Sequence, residues 1–126
     1  MGKQPQAYVK PVREVFRVEG SRVRVVQTEA TVWQASLRPL LSRRTLARTS
    51  FSLDPEHVVI GRIEAFVKRR HYASELLRAL SIHYDRPVIP YLVDATEEAA
   101  VAFWEHLRLH ADFVDTGTPW TTTVGT

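Results

Sequence analysis

Ile63 to Leu77 reads IEAFVKRRHYASELL. A β-branched, apolar run beginning at His57 ends in its first residues, and three consecutive cations, Lys68, Arg69 and Arg70, follow as a short basic loop. Ala73, Leu76, Leu77 and Leu80 then recur at the spacing of a half-buried helix spanning His71 to Tyr84. The first turn of a helix exposes unpaired N–H groups and partial positive charge, and cations just ahead of it add donors. The junction therefore suits a phosphate-bearing ligand. The same three cations also fit a solvated loop leading into a core helix.

Downstream, Pro87 resets the chain and Val88 to Val93 forms a short apolar strand. Asp94, with Glu97 three residues on, makes an Asp version of the capping box for a helix over Glu97 to His110, with Ala100, Phe103 and Leu107 inward. Ala111 to Val114 and Trp120 to Val124 are expected to be closing strands around the turn Thr116-Gly117-Thr118-Pro119. Strand, helix, strand in this length implies a parallel pair with a right-handed crossover. Upstream, Asp54-Pro55 marks a turn before the strand at His57 to Ile63. Val12 to Gln27 carries β-branched residues on both sides of Glu19-Gly20-Ser21, which predicts a hairpin. Thr31 to Leu46 places Val32, Leu37, Leu40, Leu41 and Leu46 at mixed helical spacing around Pro39, which predicts one broken helix or two short ones. The expected fold is α/β in the α+β sense, a single domain with a central mixed β-sheet flanked by helices.

With 126 residues, 44% of them hydrophobic, the chain can bury one core but not two. It has no cysteine, which excludes a disulfide framework, a thiolate zinc site and a cysteine nucleophile, and suits a reducing compartment. Met1 to Lys10 is polar, and no stretch approaches the ~18 apolar residues of a membrane span, so a cytoplasmic protein without a membrane partner is expected. Seventeen Lys and Arg against fourteen Asp and Glu make a basic protein, which favours an anionic partner. His106 and His110 stand at a zinc-compatible i, i+4 spacing, but without a HExxH order or a third ligand they read as a solvated helix face, and no metal is expected. No nucleophile elbow and no Walker or dinucleotide glycine pattern occurs, so hydrolase and nucleoside-triphosphatase chemistry has no support.

The stretch around the basic loop resembles the coenzyme-binding motif of the GNAT (GCN5-related N-acetyltransferase) superfamily, Q/R-x-x-G-x-G/A followed by a helix. Lys68 takes the Gln/Arg place, Arg69 and Arg70 the spacers, His71 the first glycine, Tyr72 the next spacer and Ala73 the last small residue, with Ser74, Leu76 and Leu77 as what usually follows. A second segment, EAAVAFWEHL at Glu98 to Leu107, is similar to the family's Asn-x-x-Ala-x-x-Phe-Tyr-x-x-Leu. Glu97 falls on the Asn, and Ala100, Phe103, Trp104 and Leu107 fall on Ala, Phe, Tyr and Leu. The match runs mainly over residues 58–114 and leaves a shortened or rearranged N-terminal half.

The resemblance implies an acyl-CoA N-acyltransferase fold with acetyl-CoA or another acyl-CoA as co-substrate and an amine as acceptor. Pantetheine would pair with the strand edge near Ile63, and the pyrophosphate would sit at His71, Tyr72, Ala73 and Ser74, with Lys68, Arg69 and Arg70 before it. Trp104 stands where many members place the tyrosine that protonates the leaving thiolate. An indole N–H is no acid near neutral pH, so His71, Tyr72, Tyr91 and His106 are the other candidates for that proton, and a packing role is open for Trp104. Glu64, at the end of the strand, is the candidate base, and it equally suits a surface pair with Arg62 or Lys68. The alternative is a GNAT-like fold without catalysis, using Arg43, Arg44, Arg48 and Lys68 to Arg70 to bind nucleic acid or an acidic protein.

Overall fold

A computed structural model describes residues 13–18, 20–66, 71–91 and 96–115. Its elements run β1 (Arg13–Val18), β2 (Ser21–Glu29), β3 (Val32–Pro39), β4 (Ala47–Leu53), β5 (Val58–Ala65), α1 (Tyr72–Tyr84), β6 (Val88–Pro90) and α2 (Glu98–His110). The six strands form one mixed sheet in chain order. β1 to β5 are antiparallel neighbours, and β6 lies parallel to β5 across the α1 crossover. The architecture is α+β.

The expected hairpin is present as β1 and β2 turning at Gly20, whose φ of +72° is the region glycine enters without a Cβ penalty. The helices expected over Thr31 to Leu46 are not formed. β3 occupies that stretch, with Ala35 and Leu37 buried at a spacing of two. Leu40 and Leu41, which suggested helical spacing, sit on the turn after β3, and Leu41 is fully exposed. Four described residues of short polar or aliphatic type, Ala47, Thr49, Ser50 and Ser52, also hid β4, where burial alternates from Ala47 to Phe51. The early half is therefore a five-stranded meander, including β5, with no helix among its described residues.

Inward residues of β2 to β6 form the core face: Val23, Val25, Ala35, Leu37, Ala47, Phe51, Val58, Ile60 and Val88 are all buried. Leu76, Leu77, Ala79 and Leu80 of α1, and Trp104 and Leu107 of α2, join the same cluster. Both helices thus cover one face of the sheet. Aromatic rings fasten the carboxyl end of α1 to the meander. Phe16 stacks on His83 at 3.9 Å between centroids, and Tyr84 packs against Phe51, which stacks on Trp33. The amino end of α1 is left to face the other helix.

The closing strand expected at Ala111 to Val114 is reduced to one parallel bridge, Val114 with Val88. His57 anchors this tail: its Nε2 lies 2.5 Å from an Asp115 carboxylate oxygen and its Nδ1 3.3 Å from Asp54. Asp54 Oδ1 in turn accepts from the backbone N–H groups of Glu56 and His57, which builds the expected turn. The basic loop Lys68 to Arg70, Asp94, and the turn and strand expected after Asp115 lie outside the described residues. No helix among the described residues is long and apolar enough to cross a membrane.

Candidate functional site

Two local irregularities shape the region around the decisive stretch. The first is in β5. Thr49 pairs with Ile63 but Phe51 pairs with Ile60, so Gly61 and Arg62 together oppose Ser50. This is a β-bulge, which bends a strand and sharpens its twist. A Cβ added at Gly61 would lie 2.6 Å from Ser50 Oγ, so any other residue there forces that hydroxyl to move. The bulge's polar groups are satisfied from β4: Ser50 Oγ accepts from Arg62 N–H at 2.9 Å, and the Thr49 hydroxyl lies 3.0 Å from Arg62 O. Glycine inside VVIGRIEA was the available sequence signal for this bulge.

β5 and β6 pair through Val58, Val59 and Ile60, and Tyr91 N–H donates to Ile60 O as the last described link. Beyond it, Gly61 to Ala65 pairs with β4 alone among the described residues. The carboxyl end of a parallel strand pair is where open sheets take ligands.

The second irregularity is His71, the N-cap of α1, with φ 55° and ψ 27°. A non-glycine residue in this left-handed region is uncommon, and histidine is among those that reach it. Its carbonyl accepts from Glu75 N–H and from the Ser74 hydroxyl, both at 3.0 Å. Its side chain makes no capping bond, so α1 itself supplies no acceptor to the first-turn N–H groups of Tyr72, Ala73 and Ser74.

These groups edge a cleft of about 780 Å³ between the two helices. Its α1 wall is Tyr72, Ala73, Ser74, Glu75 and Arg78; its α2 wall is Phe103, His106, Leu107 and His110; Ala65, His71 and Ala111 to Phe113 close it. The volume lies within the range of small-molecule and cofactor sites. Arg78, one turn beyond Ser74, adds a cation to the wall, and Glu75 and Asp112 add carboxylates.

Of the residues singled out in the sequence, His71, Tyr72, Ala73 and Ser74 are brought together here. His106 and His110 are both exposed, as expected of a solvated helix face, and that face lines the cleft, with the two rings 4.7 Å apart. Among the described residues no group of three or more side chains is placed to hold a metal ion. Trp104 is 5% exposed, packs edge-on to Phe103 at 5.5 Å and belongs to the core. Ile63 and Glu64 stand outside the cleft. Ile63 is the register partner of buried Thr49, whereas Glu64 is the partner of Arg48 and turns with it to the other face of the sheet. The Arg48 guanidinium, 2.9 Å from Glu64, holds that carboxyl below its ordinary pKa. Tyr91 is exposed just after β6.

Arg78 was not anticipated, although its place four residues after Ser74 on one helix was enough to find it. No protein-family model, curated protein or solved structure matches the chain.

Proposed function

We propose that the cleft between α1 and α2 binds an acyl-CoA, acetyl-CoA or a relative, and that the domain passes the acyl group to an amine in the manner of the GNAT superfamily. The observation that carries this reading is the backbone of His71. It stands where the resembled motif has its first glycine, and it adopts the positive φ that glycine would allow, so the departure in sequence is not a departure in backbone. The pyrophosphate would be held by the N–H groups of Tyr72, Ala73 and Ser74, with Arg78 within the same cleft and Lys68 to Arg70 preceding the helix. The pantetheine arm, an extended chain with amides, would add along the Gly61 to Ala65 edge of β5 past Ile63.

In the transfer step a neutral amine nitrogen attacks the thioester carbonyl carbon, the carbon–sulfur bond breaks, the nitrogen gives up one proton to water and the leaving thiolate takes one up. His71, Tyr72 and His106, three of the candidate donors, line the one cleft. Glu64, the base expected from the sequence, pairs with Arg48 on the opposite face of the sheet and is kept ionised there, so it takes no part in this step. A second reading, coenzyme binding without transfer, is favoured by Trp104, which packs in the core where an acidic hydroxyl would be needed.

Calorimetric titration with acetyl-CoA and, separately, with CoA tests the site. Micromolar binding that Ala73→Glu abolishes while the thermal melt is retained supports it; no binding at millimolar ligand, or binding that Ala73→Glu leaves unchanged, overturns it. Release of free thiol in the presence of an amine panel then separates transfer from binding.

A further inference from the structure

The residues that alternate with the core face have a different chemistry. Arg24, Ser36, Arg48 and Glu64 form one row across β2 to β5 by register, and Arg22 and Arg38 form the next row. Along one strand the rows stand about 6.7 Å apart, and across strands about 4.8 Å separates neighbours. Arg62, exposed on the bulge, is close enough to Glu64 to act on its charge. Glu64 is the one carboxylate of these rows, and Arg48 already pairs with it.

Arg22 and Arg38 are direct cross-strand partners, an arrangement that repels. The Nε atom of each is buried without an acceptor among the described residues, although another guanidinium nitrogen of Arg22 donates to Ser42 O at 3.1 Å. Burial, and then Arg24, Arg22 and Arg43, push the Arg38 guanidinium below its ordinary pKa. Folding alone gives no reason to gather these cations. At the border of the patch Phe66 is 49% exposed, with the Arg48 guanidinium 5.2 Å from its ring centre.

We infer that this face of the sheet binds single-stranded nucleic acid, its arginines taking the phosphates and Phe66 stacking a base. Every described cation in the patch is arginine, whose planar fork pairs two donors with phosphate oxygens and whose charge persists when partly desolvated. A duplex keeps its bases stacked on one another and offers Phe66 no partner, and an acidic peptide lacks a regular succession of π faces. A single strand supplies both regular anions and free rings. The surface is on the opposite side of the sheet from the helix cleft, so this inference stands or falls independently of the coenzyme reading.

Fluorescence anisotropy with labelled twelve-nucleotide single strands of RNA and DNA, the matching duplexes and poly-glutamate of similar length tests it on the full chain. Single strands should bind, with a log–log salt slope of about −3 if four phosphates are neutralised, and each arginine removed should reduce that slope by about 0.7. Arg24→Gln, Arg38→Gln and Arg62→Gln together should weaken binding at least tenfold, and Phe66→Ala at least fivefold, whereas Arg108→Gln on α2, which removes the same single charge as any one of the patch substitutions, should leave it unaltered. The arginine variants should melt no lower than the parent, since they remove repulsion. Absent or salt-insensitive binding, equal binding of duplex or poly-glutamate, or equal losses from Arg108→Gln would each overturn the proposal.

Discussion

The two faces of this sheet are built from alternate residues of the same strands, yet they answer to different requirements. On the helix side Val23, Val25, Ala35, Leu37, Ala47, Phe51, Val58 and Ile60 are at most 2% exposed. The one buried polar side chain in the middle of that face, Thr49, has carbonyl acceptors at 3.0 Å. On the other side Arg22 stands opposite Arg38, and the Nε atom of each is buried without an acceptor among the described residues. A face shaped by packing loses stability when changed. A face that retains repulsion should gain stability when that repulsion is relieved.

The largest expected effect is on the packed face. Phe51→Ala removes the ring that links Trp33 to Tyr84 and should cost about 3–5 kcal/mol in urea unfolding. A loss below ~1 kcal/mol would mean that the core face is not the close-packed one. Gly61→Ala, where the strand is bent between the two faces, should cost about 1–2 kcal/mol, because the new Cβ displaces Ser50 Oγ from the Arg62 N–H. Adding Ser50→Ala removes the collision, so the double variant should be less destabilised than the sum of the singles.

A pH-dependent effect belongs to the edge of the sheet. Burial alone would lower the His57 pKa, but the carboxylates of Asp115 and Asp54 outweigh it and hold it above the ordinary 6.5. A raised folded-state pKa stabilises fully below the unfolded value and ceases to do so as pH rises through the folded one. Asp54 behaves oppositely. Burial would raise it, yet the N–H groups of Glu56 and His57 hold it below 3.8, so its contribution is present above that value and is lost on acidification. Urea unfolding should therefore show stability declining above about pH 6.5, and His57→Gln should flatten that decline. The smallest effect has the opposite sign. Arg38→Gln should stabilise the fold by about 0.2–1 kcal/mol by ending the cross-strand repulsion with Arg22; destabilisation would erase the contrast between the faces.

Much of the second half was legible in the sequence. α1 and α2 begin within a residue of their expected starts because their leucines and aromatics repeat at helical spacing and Pro87 separates them. β5 and the first hairpin were legible from β-branched runs bounded by turn residues. β3 and β4 were not. β3 buries only Ala35 and Leu37 at full depth, and its neighbouring leucines are on a turn, so counting apolar residues pointed to the wrong period. β4, ARTSFSL, buries Ala47 and Thr49 beside its one large apolar residue, Phe51, and the inward place of those two is decided by the strands on either side and not by hydrophobicity.

The candidate site divides in the same way. The basic junction and the first turn of α1 could be read directly, since a helix start exposes donors wherever it occurs. The cleft could not, because its second wall comes from α2, some thirty residues away, and only packing on the core brings Phe103, His106 and His110 opposite Ser74 and Arg78. Glu64 illustrates the remaining limit: its chemistry is evident from the sequence, but the bulge and the strand register decide that it faces Arg48 and not the cleft. By itself the sequence determined the local elements with a strong period and the places where charge accumulates along the chain. The tertiary structure alone decided which charges share a face, because strand alternation, register and one inserted residue assign side chains to opposite sides of the sheet.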